Sequence, residues 1–377
     1  MATAIVPLAP VPVQRRSRIP GLALLRSTHG LQRIMLVIGL TLIAIFVIVA
    51  IGADLIAPYG FAQTRIGDAL FPTHAPPSAE HLLGTTVGGM DVLSRIVYGA
   101  RTALLVVLLA AVLSIFIGVP LGVVSGYVGG VLDRVLVLIT DALYAFPSLL
   151  LAIVVSIMVA GGRSDAFGGI VAASVSITVI FIPQYFRVVR GATLAAKAEP
   201  YVDAARVAGA RPTRIMFGHI LSNVSQTIPV LATLNASEAI LTLAGLGFLG
   251  FGIEPSAAAE WGYDLNKALS DVANGIWWTG VFPGIAIVLV VTGVALIGES
   301  LNDVLNPLLR TRGGATTADE HDVVAAATQD TIADHRPNPP HLPNPPEKHA
   351  PPAHPDPPED SATEPDQPTP PTQGGDR

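Results

Sequence analysis

Three carboxylates interrupt stretches that are otherwise apolar: Asp141, Glu238 and Glu299. An acid in such surroundings is a functional candidate by default, because an unsolvated carboxylate is costly to keep. It can pass a proton, hold a cation, or be satisfied by hydrogen-bonded packing inside a bundle. Asp141 has Thr140, Tyr144 and Ser148 close by in sequence, and Glu238 has Asn235 and Ser237, so packing competes with function at both. Glu238 lies on a longer segment broken by Gly245, Gly247, Gly250 and Gly252. Interrupted segments line cavities in membrane transport proteins, since unpaired backbone is tolerated there. Asp141 and Glu238 are therefore the candidate pathway residues, and Glu299 sits at the margin of its segment.

A second group is polar and basic, from Glu199 to Arg214, between two long apolar runs. Its punctuation predicts two short helices. Pro200 suits a first helical position, where a missing N–H costs little. Gly209 is placed to stop that helix, and Pro212 can open the next. Small residues at Ala204, Ala205 and Ala208 would let one side lie close to another protein. The plain alternative is a solvated loop.

Several chemistries are missing. There is no G-x-x-x-x-G-K-[ST], so the chain has no recognisable ATP site. Neither H-E-x-x-H nor G-x-S-x-G occurs, and hydrolysis has no motif behind it. The chain has no cysteine, which excludes disulfides, thiolate nucleophiles and Cys-ligated metals.

The elements that hold these residues are apolar runs of membrane length. Only 13% of the chain is charged, against about 25% in a soluble protein. Ile34–Ala53 runs 20 residues without a charge, about the length that spans a bilayer. It exceeds the apolar core of a cleavable signal, so a retained helix is expected. Further runs cover Thr102–Val128, Val135–Gly162, Ala166–Phe186, Ile220–Ile253 and Gly275–Gly298, with Asp54–Arg95, 187–218 and Glu254–Ala273 read as loops. Six spans place both termini on one side. The N-terminal segment, the 129–134 turn, the 187–218 loop and the 310–312 end carry 14 Lys or Arg, and the opposite segments carry five. The excess marks the cytoplasmic side, which would hold both termini and the Glu199–Arg214 stretch.

The net charge of −6 belongs to the end of the chain. Of the 28 acids and 22 bases, residues 311–377 hold 12 and 4, leaving 16 and 18. That tail also holds 15 of the 32 prolines and 5 of the 9 histidines. It cannot bury enough surface to offset its ordering entropy, so it reads as disordered. Its histidines lack fixed ligand spacing, and no metal site is expected.

At Glu199–Arg214 the sequence resembles the inner-membrane permeases of ATP-binding-cassette importers. Their signature is E-A-A, three residues, G, nine residues, I-x-L-P. Asp203–Ala204–Ala205 stands for the first triplet, Gly209 falls at the required spacing, and His219–Ile220–Leu221–Ser222 fills the last places. Asp203, His219 and Ser222 depart from the pattern. An ordered series extends the likeness over about residues 30–310: His81–Thr85, Asp91–Arg95, Tyr98–Arg101, Gly126–Gly130, Ala145–Pro147, Phe248–Gly250, Trp261–Gly262 and Phe282–Gly284. These look like the dipeptide, oligopeptide and nickel branch, and within it the C-type subunit. Met90 stands where that branch usually has Arg.

The resemblance implies an all-α, six-span permease of the type I importer fold. The N-terminal segment would be 1–33, the first span and its loop 34–95, the permease core 96–310, and the tail 311–377. Tyr201–Ala208 would be a helix docked in an ATPase. Glu199, Tyr201, Asp203, Ala204, Ala205, Arg206 and Gly209 would form the coupling site. ATP and Mg would sit on partner ATPases, with no catalytic residue or cofactor on this chain. Implied partners are a second permease, two ATPases, an extracytoplasmic solute-binding protein and the bilayer of a bacterial inner membrane, with no nucleic acid. The implied cargo is a di- or oligopeptide, with chelated nickel or another small solute as the alternative. From another class, an ion-coupled secondary transporter would use Asp141 or Glu238 as its proton site.

Overall fold

The computed structural model describes residues 31–161 and 165–305. All of them belong to the first of the two units into which the chain divides, Met1–Gly314. The expectations for the N-terminal segment before Leu31 and for the acidic tail lie outside the described residues. The fold is all-α. Its only regular strands among the described residues are Arg65–Ile66 and Ala69–Leu70, a two-residue antiparallel hairpin.

Among the described residues, nine helices position the site. α1 (Leu31–Ile51) is followed by α2 (Val92–Val128), α3 (Gly130–Ala145), α4 (Ser148–Ala160) and α5 (Ala166–Lys197). The short α6 (Pro200–Val207) leads to α7 (Ile228–Phe248), α8 (Trp261–Ala273) and α9 (Trp278–Leu305). α1, α2, α5, α7 and α9 are each long and apolar enough to cross a membrane, and α3 with α4 makes a sixth if counted as one broken span. Ile45, Ile48 and Ile51 on α1 and Leu108 and Phe116 on α2 are exposed. A helix apolar on every side suits lipid as its solvent.

The bundle packs through small residues. A Cβ at Gly118 would lie 2.7 Å from Tyr185 Cβ, one at Gly122 2.8 Å from the Phe186 carbonyl oxygen, and one at Gly126 2.8 Å from Thr193 Cβ. These three glycines, one turn apart, bring α2 and α5 into backbone contact, the usual solution where apolar attraction cannot join helices in lipid. Gly39 does the same for α1 against α9, where an added Cβ would meet the Gly293 carbonyl oxygen at 2.7 Å.

Several boundaries differ from the sequence expectation. The run 135–162 is two helices bent by 100°, with its last residue outside the described set. Pro147 lacks an N–H and pushes Phe146 out of the helical region, to φ −84° and ψ 139°. The second span begins at Val92 rather than Thr102, because Asp91 caps it by accepting from the Ser94 N–H at 2.8 Å. The 187–218 segment is helical as far as Lys197: Arg187 and Arg190 find Asp141 and Asp133 on α3. Glu254–Ala273 holds a helix from Trp261, capped by Glu260. The fifth apolar run becomes α7 only at Ile228, and Leu249–Gly250 ends it, with Gly250 at φ +83°.

Candidate functional site

The Glu199–Arg214 stretch folds into two short helices, α6 and the single turn Pro212–Arg214, and α6 is held by one fully buried side chain and a few partly exposed contacts. Val202 is fully buried in the cluster that includes Ile215, Met216 and Ile220. Glu199, Tyr201, Asp203, Ala204, Arg206 and Gly209 are exposed, Ala205 is half-buried, and Val207 is 90% exposed. Pro200 opens α6, and the Glu199 side chain makes no cap. Asp203 accepts from Arg206 Nη1 at 2.9 Å along the helix. Tyr127, at the end of α2, ties the helix to the bundle. Arg206 lies 5.8 Å from its ring centroid, Lys197 lies 5.5 Å from it, and Lys197 Nζ donates to the Tyr127 carbonyl at 2.7 Å. Asn223 Nδ2 donates to the Tyr201 hydroxyl at 3.3 Å.

Gly209 terminates α6 with a Schellman pair of hydrogen bonds. The Ala210 N–H donates to the Ala205 carbonyl at 3.0 Å and the Gly209 N–H to the Arg206 carbonyl at 2.9 Å. Gly209 sits at φ +77°, and a Cβ there would meet nothing within 4 Å. The backbone conformation, not a lack of space, calls for glycine.

Downstream of α6 the helix is irregular. Ile215–Ile220 forms a wide π turn, Leu221–Val224 one α turn, and Ser225–Thr227 a break. Pro229 then lies in the first turn of α7. Ser222, which replaces the signature proline, is exposed within this irregular segment, and the proline that opens the span stands seven residues later.

The two candidate pathway acids have different surroundings. Asp141 accepts from Arg187 Nη2 at 3.1 Å, both side chains being more than half exposed, and Arg187 stacks 4.2 Å over the Tyr144 ring. Its partner is thus on α5, not among its sequence neighbours. Glu238, half-buried on α7, lines a cleft of about 240 Å³ with Tyr144, Ser148, Pro183 and Gln184. The Glu238 carboxylate has no hydrogen bond or ion pair among the described residues. Two interrupted elements face each other there: the bend at Pro147 and Pro183 inside α5. The exposed Glu299 belongs to α9 and does not line this cleft.

Residues 118–311 match the family of binding-protein-dependent transport system inner membrane components. The chain belongs to this permease family. Over 280 residues it is 44% identical to the dipeptide transport system permease protein DppC of Escherichia coli, covering 73% of this chain and 89% of that one. The protein of that name from Alkalihalophilus pseudofirmus is 37% identical over 277 residues, 73% of this chain and 86% of its own. A di/tripeptide transport system permease protein DppC of Pseudomonas aeruginosa is 35% identical over 278, 72% of this chain and 88% of its own. With its apolar helices, the permease is a multi-pass membrane protein.

The end of the permease remote from α6 holds charges that sequence reasoning took for solvated loop. Arg95 Nε donates to Asp264 Oδ1 at 2.6 Å, with both side chains buried. Arg95 Nη1 lies 3.1 Å from the Phe61 carbonyl and 3.3 Å from Met90 Sδ, so Met90 lies against the buried arginine. Glu260 accepts from the Gly262 and Tyr263 N–H groups at 2.7 and 2.8 Å. Burial pushes its carboxyl up to about 8, against the pull of those two donors. Burial also raises Asp264, with Arg95 pulling the other way. His81 Nδ1 and Asp91 Oδ1 lie 3.0 Å apart and buried, and His74 Nε2 lies 3.0 Å from Asp271 Oδ1. Trp261 Nε1 donates to the Ile96 carbonyl and Trp278 Nε1 to that of Thr85, each at 3.2 Å. The helical spacing of Trp261, Leu265, Ala268 and Val272 was a readable signal for α8.

Proposed function

We propose that this chain is one of two permease subunits of an ATP-driven importer for di- and oligopeptides in a bacterial inner membrane. A solute-binding protein outside delivers the cargo. Two ATPases, carrying ATP and Mg, dock on the cytoplasmic face, where both termini of this chain would also lie. The relatives' names support peptides over chelated nickel as the cargo class.

The observation that carries the reading is α6: eight residues, anchored by the buried Val202 and the half-buried Ala205, with its other side chains exposed. A short rigid element held between two spans passes on a displacement that a flexible loop would absorb. Different contacts with the ATPases before and after hydrolysis would bias the permease between its two states. Asp203 and Arg206 supply the polar contacts, Tyr201 and Val207 the apolar ones, and Gly209 sets the exit angle. Glu199 caps no backbone group and faces outward beside them, while Ala204 and Ala205 allow close approach.

Asp141 and Glu238 divide the pathway roles in this reading. Asp141, paired with Arg187, fixes α3 against α5. Glu238 faces the route the cargo takes, in a cleft that a second permease would close. The test is Gly209→Asp in the whole importer. The variant complex should insert and assemble, bind its ATPases poorly and lose dipeptide uptake. Full uptake at normal expression would overturn the coupling role of α6.

A further inference from the structure

The Glu238 cleft has a specific chemical shape. Its walls are mostly apolar, with Leu143, Leu151, Val179 and Ile180 among them, and its polar groups are Glu238, Gln184, Ser148 and Tyr144. No Lys, Arg or His lines it. Arg187, stacked over the ring of the lining Tyr144, pairs with Asp141, and Arg190 pairs with Asp133. The side chains of Glu238, Gln184 and Ser148 make no hydrogen bond among the described residues. A half-buried carboxylate without a partner, in a cleft free of cations, is costly unless a cation comes to it.

We propose that Glu238 is a subsite for a primary ammonium, the free amino terminus of a peptide in transit. Gln184 and Ser148 present uncharged polar groups beside it, and the aliphatic walls accept side chains of varied shape. The amino terminus is common to every unblocked peptide, whereas the side chains are not. One carboxylate among unspecific walls therefore recognises the class without choosing a sequence. A charge-assisted contact of this kind is roughly twice as strong as a neutral hydrogen bond. At about 240 Å³ the cleft is smaller than the roughly 300–1,000 Å³ of a full ligand pocket. It fits half of a site shared with the second permease. This rests on the reading of the chain as a peptide importer subunit.

The experiment uses the whole importer in lipid nanodiscs, free of nucleotide and of binding protein, so that only the transmembrane site is read. Radiolabelled dialanine is the probe and N-acetyl-dialanine the competitor. The wild-type complex should bind dialanine about tenfold or more tightly than the acetylated form. Glu238→Gln should remove that preference, and Glu238→Asp, which keeps the carboxylate, should retain most of it. Equal recovery of the three complexes by gel filtration excludes a folding defect as the cause. Unchanged discrimination in Glu238→Gln overturns the proposal, as does a wild-type complex that binds both probes alike or neither. ATP-dependent dialanine uptake by wild-type proteoliposomes is measured in parallel. Its presence keeps the importer reading standing when the subsite fails, and its absence strikes the importer reading itself. Glu238→Gln that loses uptake while keeping the amine preference makes Glu238 a proton site instead, and also overturns the subsite.

Discussion

The two ends of the bundle solve opposite problems with similar residues. At the end built from residues 57–99 and 258–278, ionisable groups are buried and paired: Arg95 with Asp264, His81 with Asp91, and Glu260 against the first N–H groups of α8. On α6 itself, charges are exposed and paired loosely, as Asp203 and Arg206 are, while Arg190 and Asp133 pair tightly on the neighbouring α5 and α3. A buried pair contributes little net stability but punishes any rearrangement that separates it. An exposed pair costs little to break and leaves its members free for another protein. One end is therefore fixed in a single arrangement, and the other is open to exchange contacts with a partner.

The contrast breaks first at Arg95. Arg95→Ala would leave Asp264 buried without its cation, a loss of about 3–5 kcal/mol. It should appear as a large drop in thermal midpoint and poor membrane recovery. If Arg95→Ala behaves like wild type, the fixed end is not fixed by its charges. Next is Gly209→Val, which forces a β-branched residue to φ +77° at a cost of about 1–2 kcal/mol. The loss is local to α6: uptake should fall while the global thermal midpoint stays near wild type. A matching fall in midpoint would show that α6 is integral to the bundle.

Glu260 sharpens the contrast through pH. Its carboxyl rises from 4.5 to about 8 on folding, so the folded state holds the proton more tightly. Its contribution is fully present below about 4.5 and is lost as pH climbs towards 8. Wild-type thermal midpoint should therefore fall between pH 5 and 8, and Glu260→Gln should flatten that slope, with Asp264 and Arg95 left as the neighbouring charges. An unchanged slope would show that another group titrates. The smallest effect on stability belongs to Asp203→Asn, a shift of less than about 0.5 kcal/mol. Uptake should nonetheless drop several-fold if α6 is the proposed ATPase contact, because Asp203 is an exposed charge on it. Wild-type uptake by Asp203→Asn would remove this residue from the contact.

What the sequence made legible follows the same division. Apolar runs located the spans because lipid exposure leaves long charge-free stretches, as in α1. Gly209 and Pro200 marked α6 correctly, since local backbone rules decide both. Charge was the misleading signal. Arg95 counted as solvated, so the second span was started ten residues late, whereas the arginine is buried against a carboxylate 169 residues away. Arg187, Arg190 and Lys197 likewise suggested a loop, and the structure shows helix with each cation anchored. Pairing across that distance leaves no local trace. The helix α8 was legible and missed: Trp261, Leu265, Ala268, Leu269 and Val272 recur at helical spacing after Glu260. Pro147 itself was readable as a breaker, but the apolar run continues on both sides of it, so the two helices passed for one span.

The contact of α2 with α5 through Gly118, Gly122 and Gly126 has a mechanical side. α2 is 37 residues long, a rod of about 55 Å at 1.5 Å per residue. It runs from the Arg95 cluster to Tyr127, where Arg206 and Lys197 gather. At these glycines the interlocked backbones leave no soft layer between the two helices, although each carries an internal proline, Pro120 and Pro183, so the pair acts as a beam pivoting about the Arg95 cluster. Pivoting such a beam by about 5° sweeps its far tip through about 5 Å, roughly one helical turn. A small rotation about the Arg95 cluster thus becomes a stroke of atomic-contact size at Tyr127.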